Sequence, residues 1–217
     1  MSFTVFDNME AFAGKPDIAG AIQIHQLGLG QTVPAGDSGY YYIDYEPDIE
    51  KPADCPAVVA TISAQITAIR SVAPACTIGA YNLSPLANYW CWVDPIHSGD
   101  TVAHCRSIND ALRPIAQASD WLFPCLYTYY TDDPNWWIAA IGTISEARRI
   151  SSRPVAPFVW FQDMTSSNAF VDPTLWAHQL ELIRESCDGI VLWGGYQQQW
   201  NPTAPWWLAA KSVLGIA

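Results

Sequence analysis

Seven short apolar runs, separated later in the chain by helical stretches, limit what this sequence can fold into. Phe3–Asp7, Ala19–His25, Tyr40–Pro47, Cys76–Tyr81, Asp120–Tyr127, Pro154–Phe161 and Gly189–Gly194 are rich in β-branched and aromatic residues. They lack regular polar alternation, which predicts strands covered on both faces and therefore a parallel sheet. The first two runs lead into Gly/Pro-containing loops with little room for a helix. After the third, Asp54 is placed to cap a helix with Pro56 in its first turn and Val58, Ile62, Ile66 and Ile69 along one face. Further helices are expected from Ser107, interrupted or delayed at Pro114, over 135–150, over 175–186 and over 205–214. No repeat or linker divides residues 1–217. The reading is one α/β domain, a single TIM-like (β/α) barrel of seven strands rather than a doubly wound sheet.

Within the third run, Tyr40-Tyr41-Tyr42-Ile43-Asp44-Tyr45-Glu46-Pro47, the residue type changes abruptly from aromatic to acidic. Alternate strand residues share a face, so Tyr42, Asp44 and Glu46 should point the same way, with the two acids roughly 6.5–7 Å apart at Cα. Neighbouring carboxylates repel, which favours one proton shared unequally between them. A general acid beside a charged partner needs that split.

Composition narrows the chemistry. Ten Lys and Arg against 21 Asp and Glu give a formal charge of −11, which repels phosphate backbones and anionic surfaces, so neither nucleic acid nor a membrane is an expected partner. Six dispersed cysteines show no C-x-x-C and no Cys/His grouping with metal spacing, and no phosphate-cradling glycine motif follows a strand. No metal and no cofactor are expected. Cys91 and Cys105 could bridge across a loop; Cys76 and Cys125 read as core residues. The opening Met-Ser-Phe-Thr has neither a basic nor an apolar leader region, and no apolar run approaches the roughly 20 residues of a membrane span, giving a cytoplasmic or phage-encoded expectation.

In a barrel, functional groups collect where strands end. Asp7, His25, Asp44, Glu46, Tyr81, Asn82, Tyr127, Gln162, Asp163 and Trp193 stand at those ends. Eleven Trp and ten Tyr exceed what packing requires. Aromatic faces stack on sugar rings while paired carboxylates serve glycosidic cleavage, so the expected ligand is a polysaccharide or oligosaccharide. Glu46 and Asp44 are the candidate catalytic pair; Trp193, Tyr81, Tyr127, Trp160, Tyr42, Asp7 and Gln162 are candidate substrate contacts. His97, His104 and His178 show no pattern, and Asp48, Glu50, Asp132 and Asp133 read as solvated acids or caps.

Ile43-Asp44-Tyr45-Glu46 resembles the I-D-W-E segment of the hyaluronidase-like (family 56) glycoside hydrolases. Ile78 to Pro85 resembles that family's next strand, and Gly189-Ile190-Val191-Leu192-Trp193-Gly194 is similar to its final G-I-V-I-W-G. The resemblance implies a distorted seven-stranded barrel, Glu46 as acid/base, Asp44 orienting an N-acetyl nucleophile, and Trp193 flooring the sugar site. Where that family sets tyrosines against substrate this chain has Phe123 and Trp160, leaving Tyr127, Tyr129 or Tyr130 to substitute. It also lacks the basic residues of a hyaluronan site, which points to another polymer. A weaker similarity is to the family 25 muramidases, many of them phage lysins, in which Asp7 would add a third acid on the first strand. A non-catalytic sugar-binding barrel is the remaining alternative.

Overall fold

The computed structural model describes residues 2–94, 99, 101–129, 134–164, 168–195 and 198–217. Six parallel strands form one curled sheet: β1 (Thr4–Asn8), β2 (Ala21–Gly28), β3 (Tyr40–Asp44), β4 (Thr77–Ala80), β5 (Phe158–Trp160) and β6 (Gly189–Trp193), in the order β4-β3-β2-β1-β6-β5. Six helices follow the later strands: α1 (Cys55–Val72), α2 (Tyr89–Val93), α3 (Val102–Ala118), α4 (Trp136–Ile150), α5 (Pro173–Ser186) and α6 (Pro205–Leu214). As the early loops predict, no helix separates β1, β2 and β3.

The expected fifth strand, Asp120–Tyr127, is not a continuous ladder. It touches both edges of the sheet through single bridges, Tyr81 with Phe123 on the β4 side, and Leu122 with Val155 and Cys125 with Phe158 on the β5 side. Proline explains the interruptions, because Pro124, Pro154 and Pro157 have no N–H to donate. Their carbonyls still accept, from Phe158, Leu122 and Val191 at 2.8, 2.8 and 2.9 Å. The same prolines shorten the expected 154–161 strand to Phe158–Trp160.

The strands are apolar on both sides because both sides are buried. One face points inward: Phe6, Ile24, Tyr42, Phe123, Phe158 and Val191 pack together, with Phe6 edge-on to Trp121 and Phe123 and Tyr42 edge-on to Phe158. Gly79 belongs to this interior. A Cβ there would lie 2.5 Å from the Trp121 carbonyl oxygen and 2.7 Å from the Phe123 ring, so β4 and residues 121–123 approach only around a glycine. The outer faces carry two large clusters. α1 and α3 cover β3 and β4, with Ile62, Ile66, Ile69, Leu112 and Ile115 inward; α4, α5 and α6 cover β1, β5 and β6 around Trp136, Trp176 and Trp206.

The helix boundaries show where local signals gave way to packing. Asp54 does precede α1, but its carboxylate accepts the Glu50 and Lys51 amides at 3.1 and 3.0 Å instead of capping the helix. α3 starts five residues before Ser107, capped by Thr101, and runs through Pro114. Its buried stripe, Cys105, Ile108, Leu112 and Ile115, continues across the proline and offsets the roughly 3 kcal/mol a helix-interior proline costs. α2 forms between β4 and α3, capped by the Asn88 side chain, which accepts from the Cys91 amide. The segment Pro52–Val72 is, by length and composition, apolar enough to cross a membrane, contrary to the sequence reading; in this fold its apolar stripe packs on the sheet. All six cysteines are free thiols, so Cys91 and Cys105 are not bridged.

Candidate active site

The C-terminal strand ends open into two adjoining cavities. One, of about 170 Å³, is lined by Tyr42, Asp44, Glu46, Tyr81, Tyr127, Phe158, Met164 and Trp193. The other, of about 180 Å³, shares Glu46, Tyr81, Tyr127 and Met164 and continues past Asn82, Tyr89 and Tyr129. Tyr42, Asp44 and Glu46 therefore face one space, as strand alternation predicts. Asp44 ends β3 and is part-buried; Glu46 lies two residues beyond, exposed at the rim.

Both acids hold their protons more tightly than usual. Desolvation raises the Asp44 carboxyl. Desolvation raises Glu46 too, and the neighbouring charge of Asp44 adds to it. Asp44 has a donor: Gln26 Nε2 reaches its Oδ2 at 2.5 Å. The Tyr42 hydroxyl donates to Asn8 Oδ1 at 2.9 Å and lies 3.3 Å from Gln26 Oε1, while Asn8 Nδ2 donates to the Ile24 carbonyl at 2.8 Å. Gln26 and Asn8 were missed in the sequence. Their signal was periodicity, since each lies two residues past an inward-facing residue, Ile24 and Phe6.

The aromatic wall is layered. Trp193 stacks on Tyr127 at 5.4 Å and 26°, and meets Trp160 edge-on at 5.2 Å. The Tyr81 hydroxyl, with one proton to give, lies beside Tyr127 and Cys125; burial pushes both tyrosine hydroxyls well above their ordinary range and the Cys125 thiol up to about 11. Trp193 reaches the cavity because the chain turns away behind it. Gly194 and Gly195 have φ of 139° and 97°, and a Cβ on Gly195 would lie 2.3 Å from the Phe12 ring.

Other candidates stand elsewhere. Trp160 supports Trp193 and Tyr127 from behind, and its buried indole N–H has no partner among the described residues. Gln162 is buried, donating to the Asn168 carbonyl and accepting from Gln198 at 2.8 Å. Asp163 is buried and accepts the Ala169 amide. Asp7 lies between the inward-facing Phe6 and Asn8 and so points outward, paired with Lys15 at 2.6 Å and accepting the Met9 amide at 3.0 Å. Neither Asp7 nor Gln162 lines the two cavities; the physical reason is strand phase for the first and loop bracing for the second. His25 pairs with Glu10, and His104 contacts the Glu50 carbonyl. His97, Tyr130, Asp132 and Asp133 lie outside the described residues. Among the described residues no group of three metal-ligating side chains converges.

A curled parallel sheet with helices outside is a TIM-barrel-like arrangement, and comparison with solved structures returns that fold. Bee venom hyaluronidase superposes with a TM-score of 0.64 at 15% identity, covering 89% of this chain and 91% of that one. The same enzyme in complex with a hyaluronic acid tetramer gives 0.57 at 18%, covering 73% and 62%. An endo-β-1,4-mannanase from Thermotoga petrophila gives 0.51 at 13%, covering 81% and 43%. No protein-family model and no curated protein matches the sequence.

Proposed function

We propose that this protein is a glycoside hydrolase acting on a polysaccharide, with Glu46 as general acid and Asp44 as its ionised partner. The observation that carries the reading is that Glu46 lines both cavities while Asp44 and Trp193 line only one. A glycan threaded through the mouth would set one sugar over Trp193 and Asp44 and the next beside Tyr89 and Tyr129, bringing the bond between them to Glu46. Protonation of that oxygen by Glu46 releases the leaving sugar. Asp44 either orients an N-acetyl group or stabilises the oxocarbenium-like transition state. Residues 121–127, bridged to both sheet edges, serve in this reading as the seventh stave of a closed, distorted barrel.

The hyaluronic acid tetramer bound to bee venom hyaluronidase supports a carbohydrate ligand. No Lys, Arg or His lines either cavity among the described residues, which favours a neutral or N-acetylated glycan over a polyanion. The outward ion pair of Asp7 argues against a muramidase-type site using that acid.

The test is reducing-end release from a polysaccharide panel, wild type beside Glu46→Gln and Asp44→Asn. Activity lost in both variants with glycan binding retained supports the assignment. Binding without turnover in the wild type would replace it with a carbohydrate-binding barrel, and turnover surviving Glu46→Gln would remove Glu46 from the role of acid.

A further inference from the structure

We propose that Gln26 is a positioning residue that fixes Asp44 as the ionised member of the acid pair, an inference that rests on the glycosidase reading above. Gln26 stands opposite Tyr42 in the β2–β3 register, one strand from the acids. Its side chain is held from behind. The Ile24 carbonyl takes the Asn8 amide N–H, which turns Asn8 Oδ1 towards the Tyr42 hydroxyl; that hydroxyl's one proton lies between two amide oxygens, Asn8 Oδ1 at 2.9 Å and Gln26 Oε1 at 3.3 Å. The Gln26 amide thereby presents its NH₂ to Asp44 Oδ2. An NH₂ can only donate, and a carboxylate accepts better than the acid form does.

The surroundings leave this contact as the selective one. Facing Asp44 and Glu46 are Tyr42 from β3, Tyr81 after β4, Tyr127 and Cys125 from residues 121–127, and Trp193 from β6. None is cationic. On β2 the titratable neighbour His25 lies on the other face, with Glu10 and Tyr41. Among the described residues no donor reaches the Glu46 carboxyl. The two acids are thus made unequal by a neutral amide on β2, the strand beside their own: Asp44 gains a donor for its charge, and that charge in turn keeps the proton on Glu46.

The experiment is a carboxyl-carbon NMR titration of the intact protein labelled at Asp and Glu, with Asp44 and Glu46 assigned from Asp44→Asn and Glu46→Gln. Gln26→Met keeps side-chain length and removes the amide; Gln26→Asn keeps the amide and withdraws it by one methylene, guarding against a variant that fails to fold. Both should raise the Asp44 midpoint by about 0.5–1 pH unit, less than a buried charge-assisted hydrogen bond would give because this one is open to solvent. The gap between the Asp44 and Glu46 midpoints should narrow accordingly. A merely structural Gln26 would alter folding or turnover and leave the Asp44 midpoint within about 0.2 unit in a folded variant, which would overturn the inference. The titration requires no turnover. If the wild type cleaves no glycan but the midpoint moves, the glycosidase reading fails and the ionic role of Gln26 stands; if it cleaves glycan and the midpoint does not move, the reverse holds.

Discussion

Replacing Lys15 with methionine separates the structural role of Asp7 from a catalytic one. Lys15 Nζ lies 2.6 Å from Asp7 Oδ2, and the two side chains are 6% and 4% exposed. Breaking a buried pair by deleting one partner costs about 3–5 kcal/mol, because the remaining charge stays desolvated. The Met9 amide still donates to Asp7 Oδ1 at 3.0 Å, which sets the expectation for Lys15→Met at the lower end, about 3 kcal/mol. Asp7→Asn should cost less, about 1–2 kcal/mol: the Met9 contact survives, and Lys15 retains the Pro16 carbonyl at 3.1 Å. The double variant should lose less than the sum of the two single changes. Urea unfolding at neutral pH, with the m-value unchanged, measures all three. For a chain of this size about 3 kcal/mol lowers Tm by roughly 6–12 °C. Losses below about 1 kcal/mol for Lys15→Met would refute the buried-pair argument. Turnover abolished by Asp7→Asn at unchanged unfolding midpoint would instead make Asp7 a reacting group.

Trp193→Ala should weaken binding of any glycan ligand by about 1–3 kcal/mol, read by calorimetry; unchanged affinity for every ligand places the sugar elsewhere. Asp44→Asn should stabilise the fold at neutral pH. Its folded-state carboxyl is raised above 3.8, so the native protein binds the proton more tightly than the unfolded chain, and ionisation costs stability as pH rises through the native value. The gain in Tm should be present at pH 7 and vanish below about pH 4; a gain independent of pH would have another origin. Gly79→Ala should destabilise by about 1–3 kcal/mol because the new Cβ meets the Trp121 carbonyl and the Phe123 ring, and an unaffected unfolding midpoint would show that the interior yields there.

Much of the fold and part of the site were legible in residue patterns. Apolar runs such as Gly189–Trp193 announced buried parallel strands, and the Asp44/Glu46 spacing announced a shared face, because a period of two is a strict geometric rule. Which phase of that period faces inward was not legible on β1. Val5 and Phe6 are both apolar and both buried, one outward and one inward, so the sequence offered no reason to prefer Asn8 over Asp7. Gln26 escaped for a related reason: an amide carries no charge pattern, and its value depends on Tyr42 across the strand pair. The extended reading of 120–127 failed only in its ladder, where proline removes donors without moving the chain. Helix α3 outran its local start signal because tertiary packing, invisible in a single helix, outweighed the proline.

The sheet order has a consequence for synthesis. β1 lies between β2 and β6 and is bonded to β6 along Thr4–Asn8 with Gly189–Trp193. A ribosome releasing residues in order presents the second edge of β1 to its partner roughly 180 residues after making it. At about 5–20 residues per second that is a wait of about 10–40 s. Throughout it Thr4-Val5-Phe6-Asp7-Asn8 remains a short apolar strand with one vacant hydrogen-bonding edge, the form of backbone most open to pairing with the wrong chain. Expression of this protein should therefore depend on chaperones and temperature during translation more than the stability of the finished fold would suggest.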